Sequence, residues 1–241
     1  MYFTVFLSVL IAESGVRFAK IISIAFTIIG MITILNCRSR ASLLALASYL
    51  LLSYIMPKKV HNKRKFLKYI FTIVILVGTL IPFIILSFYQ RNVELTLPFI
   101  SKSLYTGREI IWSQMFNLLK EDPFSIFFGL GSQIQNNKGE LLVAHNSYMA
   151  IIINFGLIGF ALIYGFIILK FNRIINFVEL NKHQFKFFLG YISIFIHGFF
   201  EYTFLDPIFV IFTFLFLGLA LNFSSISDIK EEYSYVKKNK D

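Results

Sequence analysis

Gly129–Gly159 reads GLGSQIQNNKGELLVAHNSYMAIIINFGLIG. A polar stretch punctuated by glycines leads to His145-Asn146-Ser147-Tyr148, and a long apolar run begins at once. The run from Ser147 to Leu169 contains no charged residue. An uncharged apolar stretch of about twenty residues predicts a membrane-spanning helix. The histidine and its polar neighbours then stand at the mouth of that helix, where ionisable groups beside a bilayer are functional-site candidates.

The composition agrees with that reading. The 241 residues are 57% hydrophobic, 18% aromatic and 15% charged, and the mean hydropathy is +0.72. This is the profile of a polytopic α-helical membrane protein. The apolar blocks are continuous, whereas barrel strands would alternate. A net charge of +10 is therefore read as cytoplasmic-loop lysine and arginine and not as a nucleic-acid surface. One cysteine, Cys37, excludes an internal disulfide and a cysteine-based zinc site. The opening MYFTVFLSVLIAE lacks a basic n-region and is not read as a cleaved signal peptide.

Working outward, Met1–Ala12 is too short to span and reads as a partial helix. Full spans are expected at Phe18–Asn36, Ala41–Met56, Tyr69–Phe88 and Ser147–Leu169. Two more are expected within Phe187–Phe223, joined by a tight turn at Glu201–Asp206. The fold class is thus an all-α transmembrane bundle of about six full spans plus a partial one. It is read as a single membrane domain over 1–223, with an external segment at 89–146 and a cytoplasmic tail at 224–241. Sixteen of the 23 lysines and arginines fall on the side of the 57–68 and 170–186 loops and the tail, and seven on the other. The positive-inside bias makes the first side cytoplasmic and the long segment external. Arg38, Arg40, Arg108, His145 and the Glu201–Asp206 turn all fall on that external face.

Within the external segment, Thr106-Gly107-Arg108-Glu109 has the spacing of a capping box. Ile111, Met115, Leu118 and Leu119 follow at helical spacing, with Trp112 and Phe116 widening the stripe. The helix should stop before Pro123. It reads as a short amphipathic helix lying on the membrane surface. Arg108 sits in its first turn, where the dipole disfavours a cation by about 0.3–1 kcal/mol; the plain alternative is an interfacial anchor reaching lipid phosphates. Arg40 and Arg38 flank a span externally, against the charge bias, and suit an anionic ligand because arginine is the preferred fork for phosphate. Helix anchoring explains them equally well. Asn146 and Ser147 are both good N-caps. The positive potential of that helix end favours neutral imidazole at His145, the form a general base needs; a hydrogen-bonded interfacial histidine without chemistry is the alternative. Gly129 and Gly131 match no nucleotide loop and read as a tight turn, whereas Gly156 and Gly159 suit close helix packing. Asn154 should face the bundle. His197 and Glu201 are four apart and should share a helix face, without the third ligand a metal site needs.

The ordered motifs SRASLLALASYLLL, TGREIIW, EDPF, FGLGSQ and HNSYM followed by INFGLIGF resemble the O-antigen ligase and Wzy-type polysaccharide polymerase superfamily. The resemblance covers about Asn36–Phe223. It implies an integral glycosyltransferase of the bacterial cytoplasmic (inner) membrane with an external active site, using neither a cofactor nor a metal. The donor would be an undecaprenyl-pyrophosphate-linked glycan and the acceptor a second glycan, with membrane lipids, a flippase and a chain-length regulator as partners and no nucleic acid. Matched onto the family's motifs, Arg40 and Arg108 would bind the pyrophosphate and His145 would be catalytic. Arg38, Asn146, Tyr148, His197 and Glu201 are supporting candidates. Ala41 stands where the family has glycine, and Met149 where it has leucine. Members carry more spans than are read here, and the chain begins where a complete member would be midway. Polymerisation of repeat units is the first expectation. Ligation of finished glycan to lipid A-core or another acceptor is the second. A transporter using His197, Glu201 and Asp206, or an inactive remnant, are the alternatives from other classes.

Overall fold

The computed structural model describes residues 8, 11, 18–36, 39–55, 64–93, 96–97, 100–103, 107–131, 134–135, 139, 141–177, 182–203 and 206–222. The expected partial helix at 1–12, Cys37, Arg38, most of the basic 57–68 loop and the tail lie largely or wholly outside them. The elements in chain order are α1 (Ala19–Asn36), α2 (Arg40–Leu50) with a π-helical turn at Leu51–Ile55, α3 (Arg64–Gln90), β1 (Thr96–Leu97), β2 (Ile100–Ser103), α4 (Arg108–Glu121), α5 (Pro123–Phe128), α6 (Ser147–Phe177), α7 (Lys182–His197) and α8 (Pro207–Asn222). Among the described residues, the regular structure is helical apart from the short antiparallel β1–β2 ladder, which pairs Thr96 with Ser103 and Leu97 with Ile100, and an isolated bridge between Gln135 and Leu141.

Among the described residues, three helices are long and apolar enough to cross a membrane: Ala19–Asn36, Arg64–Gln90 and Ser147–Asn176. The other expected spans are shorter. α2 runs 11 residues before its π turn, and α7 and α8 have 16 each. At 1.5 Å per residue, 16 residues reach about 24 Å against a hydrocarbon core of about 30 Å. Six spans were expected; three are seen at full length. α6 extends past the expected boundary at Leu169 because Phe171 and Ile175 continue its buried face, so the expected 170–186 loop is mostly helix.

The chain divides into two compact units, Met1–Leu67 with Val178–Ile194 and Val210–Asp241, and Lys68–Phe177 with Phe195–Phe209. In the first, α2 is capped by Ser39, whose Oγ accepts from Ser42 N at 3.4 Å. The Phe216 ring lies so close to Gly190 that a Cβ there would stand 2.7 Å from it.

The second unit is built round a core of Leu86, Trp112, Met115, Leu119, Ala144, Met149, Ala150, Ile152 and Ile153. The α4 stripe read from the sequence supplies Trp112, Met115 and Leu119 to it. That face is covered by protein, which leaves α4 ill suited to lie on a membrane by its apolar side. The helix ends at Asp122, ahead of Pro123, as the proline dictates. Asp122 then caps α5, accepting from Phe124 N at 3.0 Å.

A backbone crossing holds α5 to α6. Gly156 interrupts α6 with φ 68° and ψ −174°, and Gly129 ends α5 with φ 83° and ψ 175°. Both lie in a region open essentially to glycine alone. A straight helix would return the carbonyls of Ile153 and Asn154 to the amides four residues on. Here they accept from Leu130 N at 2.7 Å and Gly131 N at 3.2 Å. A Cβ on Gly156 would lie 2.2 Å from the Phe127 carbonyl, and one on Gly129 2.4 Å from that of Asn154. The two glycines are therefore a single packing device, where the sequence suggested a turn and a separate helix contact.

Candidate functional site

The site is set by what surrounds the start of α6. Pro82 inside α3 cannot donate to the carbonyl four residues back, that of Gly78. Asn146 Nδ2 approaches this carbonyl at 3.4 Å and donates to Phe199 O at 2.7 Å, while Asn146 Oδ1 caps α6 by accepting from Met149 N at 2.7 Å. Ser147 holds the same turn from the other side. Its amide donates to Gly198 O at 2.8 Å. Its hydroxyl donates to Glu201 O at 2.8 Å and accepts from Thr203 N at 2.7 Å. Tyr148 is fully buried, donates to Phe195 O at 2.9 Å and stacks on Tyr164. These three residues fasten the 198–203 turn to the helix mouth. Of the two caps expected from sequence, Asn146 is the one in place.

That turn carries Glu201. Its Oε1 accepts from Arg108 Nη2 at 3.2 Å, and its Oε2 lies 3.9 Å from His145 Nδ1. One carboxylate thus bridges an arginine and a histidine that are 37 positions apart in the chain. The side chains of Arg108, Glu201 and His145 are 26%, 36% and 41% exposed, open enough to meet a ligand. His145 also has φ 46°, a left-handed conformation uncommon outside glycine. Its neighbours impose it: Ala144 O takes the Trp112 indole N–H, and Asn146 is tied on three sides.

Arg108 opens α4. The N-cap is Gly107, with φ 84°; Thr106 lies outside the described residues. Glu109 reaches back to Gly107 in place of the Thr106 cap that the box spacing implied, its Oε1 accepting from Gly107 N at 3.0 Å. The dipole disfavours a cation in this first turn, and Glu201 offsets that through its ion pair with Arg108.

One placement differs from expectation. Glu201 and His197 do not share a helix face, because α7 ends at His197 and Gly198 begins the turn. His197 is buried, its ring centroid 5.5 Å from that of Phe209. Arg40 is the first residue of α2 and belongs to the other unit, with its side chain outside the described set. No group of three His, Cys, Asp or Glu that could hold a metal occurs among the described residues.

Beside the charged cluster is a cleft of about 350 Å³, lined by Met115, Leu142, Ala144, Ile153, Asn154 and Tyr202 among others. Ala144 and Tyr202 adjoin His145 and Glu201 in sequence, so the cleft opens next to them. Its walls are mainly apolar, with Asn154 and Tyr202 as polar groups. Burial pushes the Tyr202 phenol above its ordinary range, opposed by a hydrogen bond with Asn154. No motif or spacing in the chain singles out Tyr202 or Thr203.

A family model described as O-antigen ligase matches residues 24–164. The chain belongs to the O-antigen ligase family. The matched span holds Arg40, Arg108 and His145 and stops short of Glu201, which only the three-dimensional arrangement brings to the cluster. No curated protein and no solved structure matches the chain. Family and long apolar helices together make it a membrane protein of the type that processes glycans.

Proposed function

We propose that this O-antigen ligase family member is a glycosyltransferase that polymerises undecaprenyl-pyrophosphate-linked repeat units of a surface polysaccharide, a capsule, exopolysaccharide or O-antigen. The observation that carries the reading is the Arg108–Glu201–His145 cluster at the N-terminus of α6. In the reaction, the acceptor hydroxyl oxygen attacks the anomeric carbon and its proton passes to His145. The bond from that carbon to the pyrophosphate oxygen breaks, and the electron pair leaves with the pyrophosphate.

The geometry supports a division of labour. His145 Nδ1 faces Glu201, so Nε2 is the nitrogen presented to the acceptor. Glu201 steadies the imidazolium that forms, as a carboxylate does behind a catalytic histidine. At 3.9 Å the pair is longer than a hydrogen bond, and such contacts tighten when substrate binds. An arginine has five donors, and the bond to Glu201 uses one. The rest of the Arg108 fork meets the departing pyrophosphate, with Arg40 as the second cation by resemblance. The active face is external, at the cytoplasmic membrane, and a flippase and a chain-length regulator act with it.

The family's description favours a second reading, transfer of finished glycan to lipid A-core or another acceptor. Complementation of a strain lacking the gene tests both. Wild type should restore surface glycan and His145→Ala should not; restoration by His145→Ala would refute the catalytic assignment. Without the protein, a polymerase leaves single lipid-linked repeats, whereas a ligase leaves long unattached chains.

A further inference from the structure

α5 is a six-residue helix with most of its apolar surface uncovered. Phe124, Phe127 and Phe128 are 71%, 52% and 60% exposed, and the rings of Phe124 and Phe128 stack with centroids 5.6 Å apart. Phenylalanine has no polar handle to satisfy in water. A cluster of this kind marks a surface that meets something apolar.

Two observations identify the occupant. The first is continuity. The backbone at Phe127–Phe128 lies against Gly156 of α6. From there α6 exposes Phe155, Leu157, Ile158, Leu162, Phe166 and Leu169, the outward face of a candidate membrane span. The aromatic face of α5 therefore extends the outward apolar surface of a helix long and apolar enough to span a membrane. The second is backbone satisfaction. Irregular chain at membrane depth needs its polar groups paired within the protein. After α5, Gly129 N donates to Ser125 O at 2.7 Å, and Leu130 and Gly131 donate to the α6 carbonyls freed at Gly156. Polarity is also graded along α5, since exposed Glu121 and Asp122 precede its N-terminus and the apolar end is the one docked on α6.

We propose that α5 is a re-entrant foot: its phenylalanine face inserts into the lipid leaflet on the side of the 89–146 segment, C-terminal end deepest. This does not depend on the catalytic assignment.

The test uses full-length protein with Cys37→Ser, spin-labelled singly at Glu121→Cys, Phe124→Cys, Phe128→Cys or Ile158→Cys, in vesicles of phosphatidylethanolamine and phosphatidylglycerol. Collision with oxygen, which concentrates in lipid, is compared with collision with a water-soluble nickel chelate. The oxygen-to-nickel ratio at 124 and 128 should exceed that at 121 several-fold, with 128 the nearer to the lipid-facing reference at 158. A ratio at 128 equal to that at 121 would place α5 in water and overturn the proposal. Exclusion of both reagents would mean a protein cover, and dipolar broadening between labels would mean a second copy; either also overturns it. The two phenylalanine positions are exposed, so the labels need no core rearrangement, and agreement between them guards against a local artefact.

Discussion

Replacing Gly156 by alanine strikes the contact that sets α5 against α6, and its cost can be built from the geometry. The new Cβ would stand 2.2 Å from the carbonyl carbon and oxygen of Phe127 and 2.4 Å from Phe128 N. All three are backbone atoms, so no rotamer change relieves the clash. With φ 68° and ψ −174°, alanine would also occupy a region that costs about 1–3 kcal/mol. Moving the two helices apart also breaks the Leu130 and Gly131 hydrogen bonds to α6, each worth about 0.5–1.5 kcal/mol net. The strain and the two lost bonds together give a loss of about 2–6 kcal/mol, a large part of a typical stability of about 5–15 kcal/mol. For a chain of this size that lowers the melting temperature by roughly 4–24 °C. Trp112, buried in the same unit with its indole bonded to Ala144 O, reports unfolding of purified protein in detergent by fluorescence. Two glycines act as controls. Gly131 has φ 82° but nothing within 4 Å of a Cβ, so Gly131→Ala should cost only the left-handed penalty of about 1–2 kcal/mol. Gly165 lies in α6 with open space and no positive φ, so Gly165→Ala should be neutral or stabilise by about 0.5–1 kcal/mol. If Gly156→Ala melts no lower than Gly131→Ala, the backbone crossing is refuted.

Glu201→Gln keeps shape and removes charge; because the Arg108–Glu201 pair is partly exposed, stability should fall by less than about 1 kcal/mol, while glycan transfer in reconstituted vesicles drops at least about tenfold. Equal losses of folding and activity, or none of either, would count against its role behind His145. Arg108→Lys keeps the charge and loses the planar fork, so the KM for the lipid-linked donor should rise by about tenfold or more; an unchanged KM would leave Arg108 as a partner of Glu201 alone. Asn146→Ala removes a cap, worth about 0.5–2 kcal/mol, and strands the buried Phe199 carbonyl, worth about 1–3 kcal/mol. Its melting temperature should fall well below that of Glu201→Gln, and a wild-type melting curve would rule out Asn146 as the tie between the start of α6 and the 198–203 turn.

What could be read from the chain alone follows how local the physics is. Membrane helices are legible because a bilayer demands an unbroken apolar run, and α1, α3 and α6 each carry one within their own residues. The end of α4 is legible because Pro123 acts on its immediate neighbour. The cluster is legible in part: Arg108 and His145 each break a local rule, one as a cation at a helix start, the other as an ionisable group at a span. Their meeting point is not, since Glu201 lies 56 residues past His145 and is recruited by carbonyls of a turn that no side-chain pattern encodes. The same blindness hides the partners that Asn146 and the two glycines find. Gly78 O is available only because Pro82 cannot donate to it, and Ile153 and Asn154 carbonyls only because Gly156 leaves the helix; in both cases the vacated acceptor takes a donor from a distant segment. Asn146 answers the first, and Leu130 and Gly131 answer the second. Broken helical bonds, together with the buried polar side chains of Asn146, Ser147 and Tyr148, are thus the means by which this apolar unit holds its loops. Within His145-Asn146-Ser147-Tyr148 the burial pattern divides the work accordingly. Three residues are buried and spend their hydrogen bonds on the 198–203 turn or the neighbouring helix end, which frees the fourth to stand exposed beside the carboxylate they bring to it.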